Sequence, residues 1–99
     1  MLKSPEDCRN MQEIRTAIDA IGHEIIAAIG ARAAYVTSAA RFKTSPAALR
    51  DDERLRSMLE QRRAWAVAAG LDPDLIAALY RQLVTYFIHK ELRQWQTNR

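Results

Sequence analysis

Apolar residues recur at Met11, Ile14, Ile18, Ile21, Ile25, Ala28 and Ile29. That three-and-four spacing lines one face of a helix. The same line runs on through Arg32 to Val36 and Ala39. A guanidinium therefore stands where the pattern asks for a hydrocarbon. It keeps its proton, so burying it demands an anionic partner. Upstream, Ser4-Pro5-Glu6-Asp7 carries start signals. Serine can cap, proline suits the first helical position, and acids favour the positive end of the helix dipole. The pattern predicts one helix over residues 5 to about 42.

Thr44-Ser45-Pro46 breaks the pattern, because a residue before proline avoids the helical region. Residues 43 to about 50 read as the longest loop. A second helix is expected from about 51 to 69, with Asp51, Asp52 and Glu53 in its first turn and Gly70 after its end. Leu55, Met58, Leu59, Arg62 and Ala66 mark its inner face, with Trp65 beside it. Asp72-Pro73 opens a third helix. Its face reads Ile76, Leu79, Tyr80, Leu83, Phe87, Glu91 and Trp95. Glu91 shares a face with Phe87 and Trp95, four residues to either side. A carboxyl in that setting meets a cation or holds its proton.

The length of the first helix changes the picture. At 1.5 Å per residue, ~37 residues span roughly 55 Å, whereas a compact domain of ~100 residues has a radius of gyration of about 13 Å. Either Gly22 or Gly30 breaks the rod, or a second chain packs along it; the second reading is favoured. Ninety-nine residues make one small domain. No run of alternating β-branched residues signals a strand, so the class is all-α with three helices per chain. Cys8, the single cysteine, has no internal disulfide partner, which fits a reducing cytoplasm. No apolar run reaches the ~18 residues that span a bilayer, and the start of the chain holds no apolar signal core. No membrane role is expected.

The net charge of +3 is spread over all three helices, a weak footprint for nucleic acid. His23 and His89 lie on different helices with no zinc spacing, and no glycine-rich loop is present to cradle phosphate. What remains is polar groups on apolar faces: Arg32 and Glu91 clearly, Arg15, Lys43 and Arg54 less so. Lys43 is either a mobile cation at a hinge or a helix-end lysine satisfying the last carbonyls. Arg54 reads equally as a side chain that snorkels or pairs with nearby acids. Taken together, they describe a helical dimer that binds a small dianion between helices.

Pro5-Glu6-Asp7-Cys8, Ile14-Arg15-Thr16-Ala17-Ile18-Asp19, Tyr35-Val36 and Arg41-Phe42-Lys43 resemble the all-helical chorismate mutase family. Within it they resemble most the isochorismate pyruvate lyase branch, which makes salicylate for siderophores. The Ile-Arg-x-x-Ile-Asp stretch marks the broad family; the Pro-Glu-Asp-Cys start, the Arg-Phe-Lys run and Trp95 point to the branch. The resemblance implies an intertwined homodimer with two sites. In each, Arg32 and Arg54 hold the substrate carboxylates together with Arg15 from the other chain. Lys43 closes with its loop and hydrogen-bonds the ether oxygen or an adjacent carboxylate, and Glu91 contacts the ether oxygen; these two are the implied catalytic residues. Glu91 stands where many relatives carry glutamine, and Leu55 stands where mutases often carry an acid for the C4 hydroxyl of chorismate. The implied reaction is pericyclic, needing no metal and no cofactor. The alternatives are a chorismate mutase, as main or side activity, and a non-catalytic helical dimer that binds a partner helix or a small acid.

Overall fold

The computed structural model describes residues 2–43, 45 and 51–97, the last three as backbone only. Most of the expected 43–50 loop and the Trp95 side chain therefore lie outside the described residues. The described chain is helical, with a single 3-10 turn over Pro5–Asp7 and three α-helices: α1 Met11–Ala40, α2 Asp52–Ala68 and α3 Pro73–Thr97. It divides into two compact units, Met1–Tyr35 and Val36–Arg99.

In the first unit, the helix starts later than the sequence signals suggest. Ser4 does not cap α1; its hydroxyl bonds the Asp7 carboxylate at 2.8 Å, and Pro5–Asp7 forms only the 3-10 turn. The helix begins behind Asn10, whose side-chain oxygen accepts from the Glu13 N–H at 2.9 Å. Gly22 and Gly30 both lie inside α1 without interrupting it. Thirty unbroken residues make a rod of roughly 45 Å. No residue of α1 is buried. Met11, Ile18, Ile21, Ile25, Ile26 and Tyr35 are all exposed. These apolar side chains face solvent in the single chain.

In the second unit, α2 and α3 pack against each other, joined by a tight turn. Asp51 caps α2 by accepting from the Arg54 N–H at 2.9 Å. Gly70 has φ of 76°, the left-handed conformation that ends a helix cheaply only at glycine. Asp72 then caps α3 by accepting from the Asp74 N–H at 2.8 Å. Arg63 pairs with Asp74 across the two helices at 2.8 Å; both are exposed, so the pair adds at most about 1 kcal/mol. The core is Met58, Leu59 and Ala77, flanked by Leu55, Tyr80 and Val84.

The packed face of α3 keeps Ile76, Tyr80, Leu83, Phe87 and Glu91 of the one the sequence suggests and departs from it at Ala77 and Leu79. Ala77 is buried while Leu79 is half exposed. Alanine lets the two helix backbones approach, and α3 is apolar on more than one side, so periodicity alone does not single out the side that meets α2. Leu75, Leu79 and Tyr86 are left in water.

Candidate active site

Glu91 is the buried carboxyl of α3, only 7% exposed. Its Oε1 finds no hydrogen-bond partner among the described residues. Burial pushes the carboxyl above its ordinary pKa, and the positive charge of Lys43 pulls it partly back. Removing a carboxylate from water is costly unless it is paired, so the proton is retained to higher pH.

Lys43 belongs to the same unit. It follows the last turn of α1, where its N–H donates to the Ala40 carbonyl at 3.1 Å, and it is half-buried. A cation there suits the negative end of the helix dipole, but its charge also reaches Glu91. Before it, the Arg41 guanidinium lies 4.9 Å over the Phe42 ring, which is otherwise exposed. Lys43 is a donor, and Glu91 becomes one while it holds its proton. Two donors without a carboxylate between them suit an oxygen that gains negative charge during a reaction.

Arg54 occupies the third position of α2 and its side chain is exposed rather than turned to the apolar side. A cation in a helix's first turn works against the dipole, so α2 gains nothing from it. In the first unit, Arg32 is half-buried and Arg15 is exposed on the second turn of α1. The second unit thus holds Lys43, Arg54 and Glu91, and the first holds Arg15 and Arg32. Among the described residues, no three of His, Cys, Asp and Glu stand together as a metal would require. No helix is long and apolar enough to cross a membrane.

Sequence reasoning placed Arg62 on the inner face of α2 without a role. The structure stacks its guanidinium on Trp65 at 4.7 Å and on Tyr80 at 5.1 Å, and it donates to the Gln61 side chain. It clamps α2 to α3 through ring faces. The clue was the i, i+3 spacing of Arg62 and Trp65.

Residues 14–92 match the family described as Chorismate mutase type II. The chain is also 40% identical over 98 residues to a Pseudomonas aeruginosa protein named "Isochorismate pyruvate lyase", an alignment that takes in 99% of this chain and 97% of that protein. The match spans α2, nearly all of α1 and most of α3, and it includes each of Arg15, Arg32, Lys43, Arg54 and Glu91. The chain belongs to the type II chorismate mutase family.

Proposed function

We propose that this chain is an isochorismate pyruvate lyase, working as a homodimer with two shared sites. The observation that carries the reading is the 40% identity, over nearly the whole of both chains, to the Pseudomonas aeruginosa protein of that name. The substrate is a dianion, which accounts for three arginines. In this reading Arg32 and Arg54 hold its carboxylates, and Arg15 of the second chain completes the grip. The second chain lies along the apolar stripe of α1, which this chain leaves in water. The enzyme acts in the cytoplasm, with Cys8 as a free thiol.

The reaction is a concerted rearrangement. The bond between the ring and the ether oxygen breaks. A ring hydrogen moves to the methylene carbon of the enolpyruvyl group, and the products are salicylate and pyruvate. Every atom of the substrate is found in the two products, and in the concerted path the hydrogen passes directly between the two carbons with no nucleophile or base. The site contributes by holding the side chain folded over the ring. Lys43 donates to the ether oxygen as charge builds there, and protonated Glu91 supplies a second hydrogen bond.

A second reading, chorismate mutase activity on the same pocket, has the family match behind it. Leu55 argues against it as the main activity. That side chain packs on the core of Met58, Leu59 and Ala77 and offers no acceptor for a ring hydroxyl. Incubating the enzyme with isochorismate and chorismate separately tests the choice. Salicylate from the first supports the lyase, prephenate from the second alone supports the mutase, and turnover of neither leaves a binding protein.

A further inference from the structure

The first N–H groups of a helix lack internal partners, and helix ends fray unless something holds them. Within this chain no residue of α1 is buried, and the second chain of the proposed dimer covers the apolar stripe without satisfying those N–H groups. Arg15 lies on the second turn with an exposed side chain. To serve a pocket on another chain, its long side chain must start from a fixed backbone, because a misplacement of about 1 Å is costly in catalysis.

One carboxylate supplies the restraint. Glu13 Oε1 accepts from Lys3 Nζ at 3.0 Å, and its Oε2 accepts from the Arg9 backbone N–H at 2.8 Å. Its own N–H donates to Asn10 Oδ1 at 2.9 Å. These bonds reach back over ten residues and strap the segment before α1 onto the first turn of the helix. Ser4 and Asp7 close the 3-10 turn within the strap. Between strap and helix lies a cleft of about 460 Å³ lined by Leu2, Cys8 and Ala17 among others. The backbone bond from Arg9 and the Lys3 ammonium both hold the Glu13 carboxyl below its ordinary pKa.

We infer that Glu13 is a positioning residue for Arg15: by pinning the strap and the first turn of α1, it fixes the backbone from which Arg15 reaches the second chain's pocket. The inference rests on the assignment of Arg15 to that pocket. Glu13 itself touches no substrate. Its loss loosens substrate binding through Arg15 while leaving the chemistry at Lys43 and Glu91 intact.

The test is a double-mutant cycle between Glu13→Gln and Arg15→Lys, read as kcat and KM for isochorismate by salicylate fluorescence. Glu13→Gln is expected to raise KM by about threefold or more, the weight of an ordinary hydrogen bond, with kcat within about twofold. Lys3→Met, which spares the bond from Arg9, should raise KM in the same direction but less. In the Arg15→Lys background, Glu13→Gln should add little. An equal rise in KM in both backgrounds, a fall in kcat alone, or no change overturns the inference. If Arg15→Lys impairs binding and Glu13→Gln does not, only the positioning role fails. If Arg15→Lys leaves KM untouched, the assignment of Arg15 fails, and the positioning role with it.

Discussion

Burial holds the Glu91 carboxyl above the ordinary carboxylate range, and the Lys43 ammonium draws it only partway back. The charge of Lys43 reaches Glu91, yet Glu91 Oε1 has no hydrogen-bond partner among the described residues. In the proposed reaction Lys43, and Glu91 while it holds its proton, donate to a third atom. That third atom is the ether oxygen.

A pH dependence follows. Glu91 donates only while protonated, so activity should fall as pH rises through its raised pKa. Glu91→Gln donates at any pH and should flatten that alkaline limb; an unchanged profile would remove Glu91 from the mechanism. Stability moves with the same sign. Above the ordinary carboxylate pKa the unfolded chain has lost the proton while the native one keeps it. Stability therefore falls with rising pH until the native pKa is passed. Urea midpoints across that window should slope for the native sequence and slope less for Glu91→Gln.

Lys43 is expected to act on the transition state. Lys43→Ala should lower kcat by about 10²–10³-fold, the weight of one donor at a developing oxyanion, and raise KM by less. Lys43→Arg should not restore the rate, since a planar fork does not reproduce a compact ammonium. Steady-state kinetics on isochorismate decide it; a larger effect on KM than on kcat would make Lys43 a binding group.

A shared site predicts complementation. Arg15→Ala and Lys43→Ala homodimers should each be nearly inactive. When they are unfolded and refolded together, about half the dimers are mixed, and each mixed dimer regains one intact site of two. Activity should return to about a quarter of that of the unmutated enzyme. No recovery would place Arg15 in the site of its own chain.

The α2–α3 core is small, so each member weighs heavily. Leu59 is 6% exposed, and Leu59→Ala should cost about 2–5 kcal/mol in transfer and cavity terms. Chemical denaturation at fixed protein concentration measures it. A loss under about 1 kcal/mol would mean that this core is not what holds the second unit together.

Much of this was legible in the residues. Asp51 and Gly70 bracket α2 where capping chemistry places them, and Asp72-Pro73 opens α3. Those signals are local, so the chain declares them without help from packing. The start of α1 was misplaced because Ser4-Pro5-Glu6-Asp7 meets every local criterion for a helix start yet builds only a 3-10 turn. The competing signal was Asn10 with Glu13 three residues on. Ala77 was overlooked because a small side chain adds little to a hydrophobic pattern while allowing close helix approach. The electrostatic influence of Lys43 on Glu91 joins residues 48 positions apart. Periodicity does not bring such residues together.

In the proposed reaction isochorismate is cleaved in one concerted step, and an isotope reads that step directly. Isochorismate deuterated at the transferred ring position should give salicylate and pyruvate in equal amounts in ordinary water. One deuterium should appear in the pyruvate methyl group, seen by mass spectrometry. Deuterium lost to solvent would mean that a base removes the hydrogen and the concerted mechanism is wrong; no salicylate at all would mean that the chain is not a lyase.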